Sequence, residues 1–320
     1  MNMNIKQAIK KRDIGRLISE YRKTYIYRRK SNVISDYDFI VSKYRESTGR
    51  DLNLINPERY TEKLQWLKLF WRDDRATICA NKYTVKKYIS DLGYGHLLND
   101  TIAYYESVDE IDVGKLPNCF VLKGTHGSGW NLIVKDKNKI NWVIWKKIMK
   151  SWLKQDLSWY GREWVYRNQP HGIIIEKYLE DDSGELRDYK IICSYGNPLF
   201  MQIDENRSTN HKRIYIDENG KPIPMDDSQE SKHPNVKFGG NQKEMFKIAK
   251  DLSKPFPYVR VDFYECQNKI FFGELTFFGA SGFFSFEPDK WDYIWGEKIR
   301  LPEANHNLEL FEKIYESRKA

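Results

Sequence analysis

Residues 258–277 constrain this chain more than any other stretch. They read Tyr258-Val-Arg260-Val-Asp262-Phe-Tyr-Glu-Cys266, a polar trio Gln267-Asn268-Lys269, then Ile-Phe-Phe-Gly-Glu274-Leu-Thr276-Phe277. Alternation on both sides of a polar trio predicts a β-hairpin. With 267–269 as the turn, Asp262 faces Glu274 and Arg260 faces Thr276. Side chains alternate along a strand, so these four share one face. Val259, Val261, Phe263, Leu275 and Phe277 take the other face, which is apolar and reads as core. Two carboxylates set opposite each other repel unless a cation lies between them. Oxygen ligands of this number suit magnesium held jointly with substrate phosphates. An arginine one step along can stabilise charge developing on an acyl or phosphoryl group. The plainer alternative is an exposed sheet face on which Arg260 pairs diagonally with Glu274. The small residues that follow, Gly279-Ala280-Ser281-Gly282, are odd for such a face and favour a site.

A second hairpin is predicted from strands 119–123 and 131–134, with the tip Gly124-Thr-His126-Gly127-Ser128-Gly129 between them. Its glycines give a flexible tip whose backbone N–H groups can approach an anion. No Lys-Ser/Thr pair closes the loop, so it is not a Walker loop. Nor is it a dinucleotide fingerprint, since Leu132 stands where the third glycine belongs. Lys123, directly before the loop, strengthens a phosphate reading. His126 could meet phosphate or face solvent; solvent is the expectation. Glu176-Lys177-Tyr178-Leu179 closes an apolar run and could hold adenine and ribose. Lys190, in Asp188-Tyr-Lys190, could reach phosphates, although an isolated lysine reads as surface. Arg207, His211, Lys212 and Arg213 form a basic loop that suits an acidic group or is simply exposed.

Around these segments the pattern mixes helices with antiparallel hairpins, which points to α+β lobes rather than a doubly wound parallel sheet. Asn56-Pro57 predicts a helix start, with Tyr60, Leu64, Leu67 and Trp71 on its apolar face. A single helix is expected over 76–91, another over 141–155 with its tryptophans in the core, and another over 241–252. Strands are expected within 97–116, at 173–179, and in hairpins turning at Gly196-Asn197-Pro198 and at Asn219-Gly220.

The chain has 320 residues and a net charge of +8. Residues 1–30 hold ten basic and two acidic side chains, so the body is electrically balanced. That argues against a nucleic-acid-binding body. Ile14, Leu17, Ile18 and Tyr21 fall at helical spacing, which makes the arm a basic amphipathic segment. It either docks on an anionic membrane surface or packs on the body. No apolar segment follows the charged start and no run approaches a membrane span, so a cytoplasmic protein is expected. Cys79, Cys119, Cys193 and Cys266 stand apart and read as ordinary thiols.

In order, a lysine strand before a glycine-rich flap, Glu-Lys-Tyr-Leu, Arg-x-Asp and Glu-x-Thr resemble an ATP-grasp enzyme. The chain is more closely similar to the TupA-like ATP-grasp family of cell-surface polysaccharide and teichuronopeptide biosynthesis. The similarity runs over about residues 50–302. It is carried by Glu62–Lys68, Lys82-Tyr83, Phe120–Lys123, His126–Asn131, Tyr160–Trp164, Asp188–Lys190, Thr209–Arg213, Val259–Tyr264 and Phe272–Phe277. The resemblance implies ATP held between two α+β lobes. It divides the chain into a basic helical extension (1–50), an N-terminal lobe (51–116), a small lobe with the flap (117–180) and a large lobe with the metal hairpin (181–320). It implies an ADP-forming carboxylate–amine ligase working through an acyl phosphate, with ATP and Mg2+. The expected partners are an acidic glycan or glycan precursor and an amine. Lys82, Lys123 and Lys190 would meet the phosphates, with His126, Gly127, Ser128 and Gly129 in the flap over them. Glu176, Lys177 and Leu179 would line the adenine slot. Asp262 and Glu274 would hold metal, and Arg260 and Lys190 would act in catalysis. Thr276 stands where many such ligases carry a metal-binding asparagine. A capsule glycosyltransferase is the alternative; it would want a D-x-D-like motif, for which Asp217-Glu218 and Asp226-Asp227 are poor candidates.

Overall fold

The computed structural model describes residues 3–31, 33–180, 186–205, 212–225 and 238–303, with side chains from Lys11 onward except at 30 and 31. Helices α1 (Met3–Ser31), α2 (Asp36–Thr48), α3 (Tyr60–Phe70), α4 (Asp74–Ala80) and α5 (Val85–Asp91) come first. Strands β1 (Thr101–Tyr105), β2 (Phe120–Gly124) and β3 (Asn131–Val134) follow, then α6 (Trp142–Trp152), α7 (Ser158–Gly161) and β4 (Ile173–Lys177). The remainder is β5 (Arg187–Ser194), β6 (Asn197–Glu205), β7 (Lys212–Ile216), α8 (Gly240–Ser253), β8 (Val259–Cys266), β9 (Lys269–Thr276) and α9 (Lys290–Lys298).

Two antiparallel sheets organise these elements. One has the order β1-β4-β2-β3, the other β7-β6-β5-β8-β9. Trp145, Ile148, Met149 and Trp152 of α6 pack under the first sheet with Phe120, Leu122, Ile173 and Ile175. Under the second, Tyr189, Ile191, Val259, Val261, Phe263 and Leu275 form one core with Met245, Ile248 and Leu252 of α8. Tyr60, Leu64, Leu67 and Trp71 are buried in that same core. The segment 51–116 is thus shared out: its helices pack on the five-stranded sheet, and β1 is an edge of the four-stranded one.

Three local expectations are corrected. The helix after Asn56-Pro57 begins only at Tyr60, because Glu62 Oε2 accepts the backbone N–H groups of Glu58 and Arg59 at 3.0 and 3.1 Å and so fixes its first turn. The expected 76–91 helix is two helices. Asn81 breaks it: its Oδ1 accepts from Tyr83 N and Thr84 N, and its Nδ2 donates to the Pro170 carbonyl. The turn at Asn219-Gly220 forms, closed by Gly220 N to Asp217 O, Asp217 N to Lys221 O and Ile223 N to Tyr215 O. Its returning arm, however, is one bridge, Ile216 to Pro222, rather than a full strand, while β7 also pairs with β6.

Helix α1 packs on α6 and α7. It turns its two acids inward, Asp13 at 3% and Glu20 at 6% exposure. Trp145 Nε1 donates to Asp13 and Gln155 Nε2 to Glu20, both at 3.2 Å. Ile18 and Tyr25 stay 62% and 69% exposed.

Helix α9 sits against the start of α3. Asp292 accepts from Thr61 N at 2.9 Å and Thr61 Oγ1 at 2.8 Å. Gly296 allows the close approach, since a Cβ there would run into the Glu58 carbonyl oxygen and the Tyr60 nitrogen. Gly296→Ala should therefore lower unfolding stability by about 1–3 kcal/mol, read from urea denaturation. No loss of stability would mean the two segments can separate freely.

Candidate active site

The turn of the β8–β9 hairpin is Gln267-Asn268, both in the left-handed region (φ 50° and 62°), as a two-residue type I′ turn requires. Cys266 therefore pairs with Lys269, one residue out of the register a 267–269 turn would give. A bulge restores it. Phe263 pairs with Phe272, Asp262 pairs with Glu274, and Gly273 is the extra residue between. A Cβ on Gly273 would lie 3.0 Å from the Asp262 carbonyl oxygen, so glycine suits this position. Arg260 pairs with Thr276, and the expected four residues do face one another.

That face belongs to a larger charged floor. Alternation brings Asp188 and Lys190 of β5, Gln202 and Asp204 of β6, Arg213 of β7 and Arg260 and Asp262 of β8 to one side of the five-stranded sheet. Lys82 and Lys123 come from opposite, with Ser128, Gly129, Trp130 and Asn131 of the glycine-rich loop. Together they enclose a cavity of about 490 Å³.

Charges pair closely across it. Arg260 grips Asp262 through two bonds, Nε to Oδ1 at 2.7 Å and a terminal nitrogen to Oδ2 at 2.6 Å. Burial raises the Asp262 carboxyl to about 6, against the pull of Arg260 and Lys190. Burial also pushes Glu274 up, but Lys82, Arg260 and Lys123 overcome it and hold that carboxyl at about 2. Lys82 Nζ lies 3.0 Å from Glu274 and donates to the Gly127 carbonyl at 2.6 Å, tying the loop to the hairpin. The break at Asn81 delivers this lysine, and Lys82 N bonds Thr125 O. Lys190 lies 2.6 Å from Asp188 and 3.2 Å from Asp204, which also takes Arg213 at 2.8 Å.

Other expected residues fall elsewhere. His126 is not exposed: it is fully buried, bonds the Trp152 carbonyl through Nε2, and stacks on His171 at 3.8 Å. Burial and His171 hold it down at about 3. Gly127 packs beneath the Trp130 ring, where a Cβ would collide. Glu176 is buried between Lys86 (2.6 Å) and Lys123 (2.7 Å), which outweigh burial and lower its pKa. Lys177 is exposed, 3.7 Å from Asp100, and its carbonyl accepts from Asn99. None of Glu176, Lys177 and Leu179 lines the cavity. The Thr276 hydroxyl accepts from Arg260 at 3.1 Å and donates to Glu274 at 3.4 Å, so it bridges those two side chains. Thr276 lines a neighbouring cavity instead. Lys212 lies off the cavity, and Arg207 and His211 lie outside the described residues. Sequence reasoning did not single out Asp204, Gln202 or Lys86. The register of the β5–β6 hairpin, which pairs Lys190 with Gln202, was the available signal for the first two.

Two α+β lobes closing a glycine-tipped hairpin over a charged sheet face define an ATP-grasp protein. A family model described as TupA-like ATPgrasp matches residues 62–300, and the chain belongs to that family. No curated protein matches the sequence. Among solved structures, the chain is similar to D-alanine–D-alanine ligase from Helicobacter pylori, with 14% identity, coverage of 78% of this chain and 68% of that one, and a TM-score of 0.43. It is also similar to N5-carboxyaminoimidazole synthetase from Staphylococcus aureus complexed with ADP (13%, 77% and 61%, 0.41). D-alanine–D-alanine ligase from Bacillus anthracis is similar at 20% identity, with 62% of this chain, 57% of that chain and a TM-score of 0.38.

Glu274 should contribute to stability with a predictable sign. Its folded value lies below its ordinary 4.5, so its contribution is complete above that pH and is lost as pH falls toward 2. Glu274→Gln should cost on the order of 1–3 kcal/mol at pH 7, after allowance for partial exposure. The gap in urea midpoint between the two proteins should narrow from pH 4.5 downward. A gap independent of pH would remove the ion pairs from the explanation.

Proposed function

We propose that this protein uses ATP to activate a carboxylate and joins it to an amine, releasing ADP and phosphate. The observation that carries the reading is the convergence of Lys82, Lys123, Lys190 and Arg260 with Asp262 and Glu274 on one cavity between the sheets. Membership of the ATP-grasp family supports it. Lys82, Lys123 and Lys190 are the residues we assign to the phosphates, with Ser128 and Gly129 above them.

Two opposed carboxylates suit magnesium in donor type once it displaces the cations that now occupy them, Arg260 on Asp262 and Lys82 on Glu274. Asp262 and Glu274 would hold it, and it would draw charge from the phosphates. In the reaction a carboxylate oxygen attacks the γ-phosphorus, ADP leaves, and an amine then displaces phosphate from the acyl carbon. Arg260 stabilises the charge that builds on the acyl phosphate. The loop, tied down by Lys82 and by Arg16, which donates to the Gly129 and Asn131 carbonyls, keeps water from the intermediate. Arg260→Met should lower turnover by roughly 100- to 1,000-fold.

The carboxylate we assign to a uronic acid of a cell-surface polysaccharide or its precursor, the acceptor class that the family resemblance implies. Among the described residues nothing favours a glycosyltransferase. Asp217 Oδ1 caps its own turn, accepting from Asn219 N and Lys221 N, and Asp226-Asp227 lie outside the described residues.

We assign the enzyme to the cytoplasm, at the inner membrane face. Among the described residues no helix is long and apolar enough to cross a membrane. The outer face of α1 carries Lys11, Arg12, Arg22, Arg28 and Arg29 beside Ile18, Tyr21 and Tyr25, a composition suited to an anionic surface. Phosphatidylserine vesicles should sediment the protein at low salt, and Ile18→Asp with Tyr25→Asp should abolish this. Equal binding to neutral vesicles would contradict it.

Mg·ATP at about 100 times its dissociation constant should stabilise the fold by about 2.7 kcal/mol. Asp262→Asn/Glu274→Gln should lose that thermal shift. A shift with a nucleotide sugar and none with Mg·ATP would overturn the ligase reading.

A further inference from the structure

A second cavity of about 370 Å³ lies beside the first. Arg260, Glu274, Ala280 and residues 128–130 line both, so the two spaces meet at the catalytic hairpin. The rest of the second wall comes from α1 and from the segments around α7 and residues 279–282. It includes Glu20, Lys23, Tyr160, Glu163, Thr276 and Ser281.

The chemistry of the two spaces differs. The first sets five lysines and arginines against four carboxylates. The second sets three carboxylates against two cations: Glu20 and Glu163, both more than nine-tenths buried, and Glu274, against Arg260 and Lys23, the latter half-exposed and 3.6 Å from Glu20. Glu20 is held by Gln155, whose Oε1 also takes the Tyr160 hydroxyl. Glu163 Oε1 accepts from the Ser281 hydroxyl. Ser281 and Ala280 both lie in the left-handed region (φ 54° and 47°), a strained backbone of the kind found where function fixes geometry. Buried Lys68 pins it, donating to the Ser281 carbonyl at 2.9 Å and the Gly161 carbonyl at 2.8 Å.

Resting on the ligase reading, we propose that this second cavity binds the amine co-substrate, with Glu163 and Glu20 taking its ammonium group. An amine placed here lies beside Arg260 and Glu274, the side chains that both cavities share. An ammonium ion must lose a proton before it can attack. Glu163, whose carboxyl burial raises above its ordinary range, takes that proton. The nitrogen then bonds to the acyl carbon. The bond from that carbon to the phosphate oxygen breaks, and phosphate leaves with the electron pair. The nitrogen's surplus proton goes to the departing phosphate. The N-terminal helix is thereby part of the substrate site.

The test uses the full chain saturated with Mg·AMP-PNP. Binding of L-lysine, L-glutamate, putrescine and glucosamine is titrated by ligand-observed NMR, with glutarate and glucuronate as carboxylates without an amine. At least one amine should bind, and Glu163→Gln and Glu20→Gln should each weaken it roughly 10- to 100-fold, the worth of a charged hydrogen bond. Both variants should keep the wild-type thermal shift with Mg·AMP-PNP, which also reports that they fold. If nucleotide binds and none of the amines does, or if either variant binds them as the wild type does, the amine site is overturned while the ligase reading stands. Binding confined to the two amine-free acids overturns it equally. Absence of the nucleotide shift in the wild type sinks the ligase reading itself.

Discussion

The bidentate grip of Arg260 on Asp262, opposite Glu274, is the contact on which the rest of the site depends. Three charged groups share a few ångströms of mostly buried sheet, and any one alone there would be costly. Their mutual position follows from backbone register, which a one-residue slip would invert. The two-residue turn at Gln267-Asn268 imposes such a slip, and the bulge at Gly273 cancels it. Turn and bulge are therefore one device. It carries Phe272 into the core and keeps Glu274 facing Asp262.

From that pair the electrostatics spread outward in closed circuits. Lys82 reaches Glu274, Lys190 lies among Asp188 and Asp204, and Lys123 shares Glu176 with Lys86. Every cation that could meet a phosphate already has a carboxylate. Such pairing holds the side chains in place without leaving an isolated buried charge. In the proposed nucleotide site a polyphosphate would exchange one anion for another, which is electrostatic preorganisation.

The amount legible in the sequence tracks how local the determining physics is. The face shared by Arg260, Asp262, Glu274 and Thr276 follows from strand alternation alone, and so does the core face of Val259, Val261 and Phe263. The fold class follows from hairpins and helices in series and from the family motifs. What escaped depends on contacts far apart in sequence. His126 looked exposed because its loop is polar, yet Trp152 and His171 bury it. Asn81 looked helical, yet Pro170 gives its side chain a partner that rewards a break. Glu176 sits between Lys86 and Lys123, a pairing that no local pattern around it announces.

The N-terminal helix makes the same point most sharply. By composition its two acids are exceptions among ten basic residues, and its apolar stripe is the natural packing face. The helix docks with Asp13 and Glu20 buried, Leu17 of the stripe packed beside them on the core, and Ile18 and Tyr25 outward. Trp145 Nε1 and Gln155 Nε2 supply the donors that make burying the acids tolerable. Arg16, lying over the rings of Trp145 and Trp152, extends from this contact to the Gly129 carbonyl. One helix thus joins the wall of the second cavity to the loop that covers the first. A chain that only needed a solubilising arm would have buried the isoleucines and left the acids in water, where they cost nothing.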